Sequence, residues 1–340
     1  MRILHAPTNI AGQPHVLSRA LRRLGHESDV LATERHAFGY PQDILFNFDH
    51  LATPWRQVRK GIELARLLHR YDVFHFYYGE SLLAAHRDIP VLRKAGKRIV
   101  FHFRGCDIRS RELSLARPVS ACLDCPAPCR SDPLKAELRD AAWRLADHVL
   151  VATPDLLESV PGAELVTQAI DLGEWPELAP RLVPRGKVVV LHAPSDPVIK
   201  GTAYVERAVS DLQARGYPIE LRLLQRRPHA EIRTAFAEAD IVVDQLLLGW
   251  YGNFAIEAMA CGRPVVGFIR DDLPTVAGYA PPIRSAGPGS ITQVLAELVD
   301  DASLRRSLAE AGRDYVSRFH GPERIARRLV DCYRAPRRAH

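Results

Sequence analysis

The strongest chemical signal in the sequence lies in residues 239–268, ADIVVDQLLLGWYGNFAIEAMACGRPVVGF. Its first apolar run is bounded by acids, as expected of a strand buried on both faces. Gly249 and Gly252 let the following loop turn and approach a ligand, and a small apolar helix begins near Phe254. Such a loop aims unpaired backbone N–H groups and the positive end of the helix dipole at whatever lies in front of it. This pattern favours an anion, such as a phosphate.

Glu257 is the one carboxylate of this apolar helix, and its role has two interpretations. A carboxylate at the first turn accepts hydrogen bonds from ribose or sugar hydroxyls. It is equally suited to be an N-terminal helix acid that the dipole stabilises. The bare pattern does not decide between them.

A second set of phosphate-binding residue types stands at 200–202, Lys-Gly-Thr, at a predicted helix start. A cation beside N-terminal backbone donors suits a diphosphate. Arg226 or Arg227, at the end of the strand IELRLLQ, could add positive charge, although an exposed loop is the simpler interpretation for both. Gly12, in the first loop, would let the backbone approach the donor phosphates or an acceptor, or is a plain turn.

The segment FHFRGCD, residues 101–107, ends another predicted strand. His102 and Arg104 are two residues apart and therefore face the same side of that strand. Either could reach a ligand at the carboxyl edge of a parallel sheet, where open α/β folds bind ligands. The alternative is a hydrogen-bonded core histidine and an arginine paired with Asp107.

Four cysteines follow this strand with the spacing of a metal site: Cys106, Cys122, Cys125 and Cys129. In a cytosolic chain this spacing favours metal over disulfides. Four thiolates suit a closed tetrahedral zinc site, which would pin the loop that carries them. Reduced cysteines without metal are the alternative.

The run GNFAIEAMACGRPVV resembles the donor-site signature of the retaining nucleotide-sugar glycosyltransferases with the GT-B fold. In that signature a Glu, a Gly three positions on and a second Glu precede Ala-Met-Ala-Cys-Gly-x-Pro-Val-Val. Gly252, Glu257 and residues 258–266 match, whereas Gly249 stands where the family has its first Glu. The resemblance implies that Glu257 holds the nucleotide ribose, and the lost first Glu is the one usually assigned to the transferred sugar.

The resemblance extends over nearly the whole chain. Lys200 matches one of the family's two diphosphate cations, whereas Ser195 stands at the other, and Arg104 stands where a catalytic His usually precedes Gly-x-Asp. The implied catalytic residues are His102, Arg104 and Lys200, and the implied donor contacts are Gly12, Lys200, Arg226, Gly252, Asn253, Phe254 and Glu257.

A parallel sheet must position these residues, and the 340-residue chain is long enough for two domains. We expect an α/β protein with two Rossmann-like doubly wound parallel-sheet domains that face each other across a cleft. Residues 1–170 form the expected acceptor domain, with a Cys-rich loop at 106–131, and residues 171–318 form the expected donor domain. Residues 319–340 are expected to be a helix that crosses back to the first domain.

Composition indicates a soluble globular protein, with 47% hydrophobic and 25% charged residues. No apolar run approaches the roughly 20 residues that span a bilayer, and we expect a cytoplasmic protein. The net charge is +6 and the pI about 9.1, which favours attraction to diphosphates or to an anionic membrane face. No nucleic-acid-binding module is present, so nucleic acid is not an expected partner.

The sequence therefore predicts a glycosyltransferase that moves a sugar from a nucleotide-diphosphate sugar to an unknown acceptor, a small molecule, a polysaccharide or a lipid-linked sugar. No Asp-x-Asp motif is present, so cations are expected to do the work of a catalytic metal. Retention of configuration is implied by the resemblance alone. The alternatives are a sugar-nucleotide epimerase of the same fold and a degenerate protein that binds the sugar nucleotide without turnover.

Overall fold

The computed structural model of the protein describes residues 1–35, 39–48, 53–127, 129–178, 186–225, 227 and 229–337. Within these ranges, no helix combines the length and the apolar character that crossing a bilayer requires.

Two compact units divide the chain. Unit 1 contains Met1–Ser110, Cys129–Ala169 and Pro322–His340. Unit 2 contains Arg111–Pro128 and Ile170–Gly321. The change of unit at Ala169 lies next to the boundary expected at 170.

Unit 1 is built on a seven-stranded parallel sheet with the strand order β3-β2-β1-β4-β5-β6-β7. Its strands are β1 (Arg2–Ala6), β2 (Glu27–Ala32), β3 (Ile44–Leu45), β4 (Val73–Tyr77), β5 (Arg98–Phe103), β6 (His148–Val151) and β7 (Glu164–Leu165).

Unit 2 is built on a five-stranded parallel sheet with the order β12-β11-β10-β8-β9. Its strands are β8 (Val188–His192), β9 (Ile219–Leu223), β10 (Ile241–Val243), β11 (Val265–Gly267) and β12 (Arg284–Ser285).

Helices connect the strands in both units, as parallel sheets require. In chain order they are α1 (Gln13–Arg23), α2 (Thr53–Arg70), α3 (Ile89–Lys94), α4 (Arg111–Leu115), α5 (Asp132–Leu145), α6 (Leu156–Ser159), α7 (Pro197–Lys200), α8 (Thr202–Ala214), α9 (His229–Phe236), α10 (Asn253–Ala260), α11 (Ile291–Asp300), α12 (Ala302–Phe319) and α13 (Pro322–Arg334).

Each sheet has a hydrophobic cluster on both faces, because successive side chains of a strand point to opposite sides. In β4, Phe74 and Phe76 join one cluster of unit 1, and Val73 joins the other. The second cluster includes Leu329 of α13, the last helix, which also packs on α1. In unit 2, Val242 and Val243 likewise belong to different clusters. The expected α/β class with two parallel sheets is confirmed.

The Cys-rich loop departs from the expected division, because most of it belongs to unit 2 and not to the first domain. Within unit 2, the backbone N–H of Ala121 donates to the carbonyl of Leu247 at 3.0 Å. Arg117 forms an ion pair with Asp272 at 3.3 Å. These contacts join residues far apart in sequence. They lie within unit 2, whereas the prediction placed the whole loop 106–131 in the first domain.

Candidate functional site

A short turn between two helices positions Lys200 in unit 2. The carboxylate of Asp196 accepts hydrogen bonds from the backbone of Val198 and Ile199 and so starts α7, which ends at Lys200. Gly201 follows with φ +78, where a Cβ would lie 3.2 Å from Leu246. Glycine is therefore needed here both for its backbone angle and for the close packing that holds Lys200 in place.

Two polar residues directly after β10 hold the Lys200 ammonium group. Its Nζ donates to Asp244 Oδ1 at 3.1 Å and also to the side-chain oxygen of Gln245. Asp244 is only 2% exposed. A lysine ammonium has three N–H donors, and its contacts with the described residues engage two of them.

The N-terminus of α10 lies at the same place. Gly252 is the N-cap of α10, and its backbone N–H donates to the other oxygen of Asp244 at 2.7 Å. A Cβ on Gly252 would lie 3.3 Å from Lys200 Nζ, so the ammonium group sits directly beside this helix start. Gly252 has no side chain with which to cap α10, so the N–H groups of the first turn of this helix can bind an anion. The structure thus brings together two predicted donor contacts, Lys200 and Gly252.

The remaining predicted donor residues lie along α10. Asn253 and Glu257 are four residues apart, so they share one face of the helix, and both are half-buried. The side-chain oxygen of Asn253 is buried and has no hydrogen-bond partner among the described residues. Phe254 stacks on Phe236 with 5.3 Å between ring centroids, a contact that belongs to the core of unit 2. Their roles in ligand binding stay predictions.

An arginine covers Gly249, the position of the missing first Glu. Gly249 has φ +68, and a Cβ there would lie 2.5 Å from Cδ of Arg270. Arg270 makes a two-pronged ion pair with Asp272, 2.6 Å at its closest. The guanidinium lowers the pKa of Asp272 to about 2, mainly through this hydrogen bond. The space where the family resemblance places a carboxylate side chain therefore holds the stem of a basic one.

The predicted catalytic residues at the end of β5 have a different environment in unit 1. His102 is fully buried, and its Nε2 lies 3.1 Å from the carbonyl of Val166. Arg104 is half-buried, and its side-chain nitrogen Nη1 lies 3.4 Å from His102 Nε2. Burial lowers the pKa of Arg104 to about 10. Asp107 accepts backbone N–H groups of Arg104 and Gly105, so it shapes the turn and does not pair with the Arg104 side chain.

His102 belongs to a buried polar cluster on the face of the sheet that carries α13. His75 Nε2 lies 3.3 Å from His102, and its Nδ1 lies 2.6 Å from the hydroxyl of Tyr333. His5 Nδ1 contacts the hydroxyl of Tyr77 at 2.9 Å. Burial lowers the pKa of all three histidines, that of His5 to about 3. This position favours the core interpretation of His102, and its catalytic role stays a prediction without geometric support.

The structure adds no support for two further predicted donor contacts, Gly12 and Arg226. Gly12 has φ +68 and precedes α1, and a Cβ there would lie 3.0 Å from the ring of Tyr40. Its glycine is thus explained by local packing. Arg226 lies outside the described residues, so its predicted role is untested.

The four cysteines of the predicted zinc site are divided between the units, Cys106 and Cys129 in unit 1 and Cys122 and Cys125 in unit 2. Within unit 1 their thiols face basic groups: Cys129 Sγ lies 3.1 Å from Nζ of the buried Lys135. Neither unit alone holds the four thiolates of a tetrahedral site, and the zinc hypothesis for these cysteines has no structural support.

A large open cavity of about 1030 Å³ lies within unit 1. Loops that follow β1, β2 and β4 line it, so it stands at the carboxyl edge of the sheet. Phe46 and Phe48 offer aromatic rings 5.1 Å apart, and Glu80 holds the hydroxyl of Thr8 at 2.7 Å. Arg130, whose guanidinium lies 4.0 Å from Glu80, and Arg144 also line it.

No protein-family model matches the chain. It is 30% identical over 147 residues to a D-inositol 3-phosphate glycosyltransferase of Stackebrandtia nassauensis, a match that covers 42% of this chain. The same match spans 32% of that relative, so only about a third of its length is represented.

Solved structures are similar over the whole chain. Sucrose-phosphate synthase from Thermosynechococcus elongatus superposes with a TM-score of 0.63 at 16% identity and 98% coverage of both chains. Anabaena HepE in complex with UDP-glucose gives a TM-score of 0.66 at 15% identity, covering 97% of this chain and 98% of that one. The chain has the GT-B fold. It resembles glycosyltransferases in sequence and GT-B glycosyltransferases in fold.

Within this GT-B protein, sequence reasoning missed three residues of the site: Asp244, Gln245 and Arg270. The signal was present, because each is a polar residue that closely follows a buried strand of a parallel sheet, at the edge where ligands bind.

Proposed function

We propose that the protein is a glycosyltransferase that takes a nucleotide-diphosphate sugar as donor and binds it in unit 2. The observation that carries the proposal is the Lys200 ammonium group beside the uncapped N-terminus of α10. Cation and aligned backbone N–H groups together suit a diphosphate. The curated relative is named as a glycosyltransferase, and the HepE structure contains UDP-glucose, which supports the same class of ligand.

In this proposal the donor site works by electrostatics. Negative charge grows on the diphosphate as the bond to the sugar breaks, and the third N–H of Lys200 and the α10 amides stabilise it. Asp244 fixes the Lys200 ammonium group and the start of α10 before the ligand arrives, because it accepts hydrogen bonds from Lys200 Nζ and from the Gly252 N–H at once. Glu257, one turn into α10, accepts hydrogen bonds from the ribose hydroxyls.

Calorimetry with UDP-, GDP- and ADP-glucose tests the donor site. We expect one of these to bind and Glu257→Ala and Lys200→Ala to weaken it at least about tenfold, since each removes a direct hydrogen bond to the ligand. Lys187→Ala is the matched control, because Lys187 is an exposed lysine of the same unit. Absence of binding by any of the three, or full affinity in both site variants, would refute the proposal.

For the acceptor, we propose the cavity of unit 1. Its aromatic rings, its carboxylates and its guanidinium groups suit a polyhydroxylated molecule, which needs apolar faces and hydrogen-bonding groups together. Phe46→Ala and Arg144→Ala should raise the KM for the acceptor and leave donor binding unchanged. An unchanged acceptor KM in both variants would exclude the cavity.

The proposal includes retention of anomeric configuration and catalysis without a divalent metal. Both rest on the resemblance to the retaining family and on the lack of an Asp-x-Asp motif. The anomer of the first product formed, observed by NMR, tests the first. Full activity after EDTA treatment is expected, and its loss with recovery on added Mg²⁺ would overturn the second.

Contact with an anionic membrane is proposed through α2. Its Leu64 and Leu67 are buried, whereas Trp55, Val58 and Ile62 form an apolar stripe on the opposite side, 69%, 53% and 45% exposed. A helix with such a stripe and many Lys and Arg is typical of an interfacial helix. Sedimentation with phosphatidylglycerol vesicles should carry the protein down. Trp55→Ser should weaken it and Tyr279→Ser, an exposed aromatic residue of unit 2, should not.

A degenerate binding protein is the second candidate, and one observation favours it. Arg270 covers Gly249, so the carboxylate that the resemblance assigns to the transferred sugar has neither a residue nor space there. Slow hydrolysis or transfer of the bound nucleotide sugar by the purified protein, lost in Lys200→Ala, would exclude this candidate.

A further inference from the structure

Three side chains with metal-binding atoms meet in unit 1, away from both proposed ligand sites. They are His148 of β6, Glu164 of β7 and Cys332 of α13, and their ligand atoms all lie within 4.8 Å of one another. His148 Nδ1 lies 3.2 Å from one oxygen of Glu164, and Cys332 Sγ lies 3.5 Å from the other. Two neighbouring strands and the last helix thus supply one ligand each.

We propose that His148, Glu164 and Cys332 bind a borderline-soft divalent metal, zinc above all, with a fourth position open to water. Nitrogen, oxygen and sulfur together are the ligand types of zinc sites. Because this site shares no residue with the proposed glycosyltransferase chemistry, it stands or falls independently of that function.

The three ligand atoms lie close enough together to approach the separations of a tetrahedral site. With zinc–ligand distances of about 2.0 Å for O, 2.1 Å for N and 2.3 Å for S, a tetrahedron places N and O about 3.3 Å apart and S and O about 3.5 Å apart. In the protein, the nitrogen and the sulfur lie at 3.2 Å and 3.5 Å from different oxygens of Glu164, and the three ligand atoms are all within 4.8 Å of one another. Coordination through a single oxygen therefore requires the Glu164 carboxylate to turn towards both partners.

The ligand set also balances the charge of the metal. A divalent cation displaces the thiol proton of Cys332, and the resulting thiolate and the Glu164 carboxylate together neutralise its two charges. Because His148 Nε2 has no partner in the described part of the chain, no hydrogen bond opposes transfer of the ring proton from Nδ1 to Nε2.

The surroundings suit a structural metal. His148 is 7% exposed and Cys332 is 5% exposed, and Cys332 belongs to the apolar cluster between the sheet and α13. Apolar surroundings strengthen the attraction between a cation and its ligands. The Glu164 side chain is 40% exposed and gives the metal and its water a path from solvent. The metal would fasten the last helix to two strands that precede it by more than 150 residues in sequence.

Metal analysis of the full-length protein tests the proposal. Protein purified after growth with zinc and then dialysed should hold about one zinc per chain. Cys332→Ser and His148→Gln should each lose it, and Cys261→Ser, which changes a buried thiol of unit 2, should keep it. Replacing the metal by Co²⁺ should give a thiolate-to-cobalt charge-transfer band that disappears in Cys332→Ser.

The cysteine-rich loop is the rival site, so a Cys122→Ser/Cys125→Ser variant is measured beside the others and should retain the metal. Wild-type protein without bound metal, retention of zinc in Cys332→Ser, or loss confined to the loop variant would each overturn the proposal. If a site variant does not fold, the wild-type cobalt spectrum decides, because a spectrum without any thiolate band excludes Cys332 as a ligand.

Discussion

The ends of β5 and β10 look alike in sequence and differ in the protein. Each strand is buried, and each is followed by polar residues at the carboxyl edge of a parallel sheet. At β5, the histidine points into a face that α13 covers, and its ring nitrogens contact His75 and Val166. At β10, Asp244 and Gln245 converge on Lys200 beside a helix N-terminus that has no side-chain cap.

The difference shows what makes a polar cluster available to a ligand. In unit 1, burial lowers the pKa of His5, His75 and His102, and these rings meet their hydrogen-bonding needs mostly within the protein, which stabilises the fold and leaves little for a substrate. In unit 2 the site keeps an ammonium N–H and the first-turn amides of α10. A similar pattern of strand and polar residues therefore gives a structural cluster in one unit and a candidate binding site in the other.

The most direct test of this comparison is to delete the ion pair between Lys200 and Asp244. Lys200→Met leaves a carboxylate that is 2% exposed without its cation and should lower the free energy of unfolding by about 3 kcal/mol. The double variant Lys200→Met/Asp244→Asn should recover much of that stability, because no charge is then left unpaired, but should not recover nucleotide binding. Urea unfolding of the two variants measures both effects.

Equal stability of Lys200→Met and the wild type would show that Asp244 is solvated in solution and that the pair does not organise the site. Lys187→Met, at an exposed lysine of unit 2, controls for the loss of one positive charge.

Lowering the pH should destabilise unit 1 more than unit 2. The pKa of His5 falls from 6.5 to about 3 because the ring is buried, so the unfolded chain takes up this proton first as the pH drops. The stability that the neutral ring contributes is present above pH 6.5 and is lost progressively towards pH 3. At pH 5 the loss from His5 alone is about 2 kcal/mol. Burial lowers the pKa values of His75 and His102 as well, which adds to the loss.

In unit 2, burial likewise lowers the pKa of His192, to about 4. Hydrogen exchange at pH 7 and pH 5, read peptide by peptide, should show unit 1 losing protection more than unit 2. Equal losses in both units would contradict the difference between their polar clusters.

How much of this could be predicted from sequence depends on the range of the contacts. Local patterns of apolar residues and glycines predict the strands and the helix at Asn253, and with them the position of Glu257 on that helix. The strand rule also placed His102 and Arg104 on one side of β5. It could not reveal that α13, more than 200 residues later, covers that side and supplies Tyr333.

The contacts of Lys200 show the same limit. Asp244 lies 44 positions from Lys200 in sequence, and no spacing rule joins a helix end to the residue after a strand. The division of the cysteine-rich loop between two units likewise depends on contacts such as that of Ala121 with Leu247. Local patterns predicted the elements, and long-range packing decided which polar groups meet.

Gly249→Ala tests whether Arg270 occupies the position of the missing carboxylate. Position 249 has φ +68, and a methyl group there would overlap Cδ of Arg270 at 2.5 Å, so we expect a loss of about 1 to 2 kcal/mol. Gly278→Ala is the matched control: its φ is +83, but no atom lies within 4 Å, so it reports backbone strain alone. Thermal unfolding of both should place Gly249→Ala lower.

The difference between the unfolding midpoints of these two variants measures the steric contribution of Arg270. If the midpoints coincide, Arg270 has moved away at no cost, and the space above Gly249 is open to a ligand in solution.

The smallest expected effect comes from Tyr333→Phe in unit 1. The change removes the hydroxyl that lies 2.6 Å from His75 and keeps the aromatic ring, so it should cost about 1 kcal/mol, the net value of one buried hydrogen bond. Nucleotide binding, measured by calorimetry, should not change, because the histidine cluster is internal to unit 1 and the proposed donor site lies in unit 2. A large fall in turnover with intact folding would instead connect the cluster of His75 and His102 to catalysis, and the contrast between the ends of β5 and β10 would have to be abandoned.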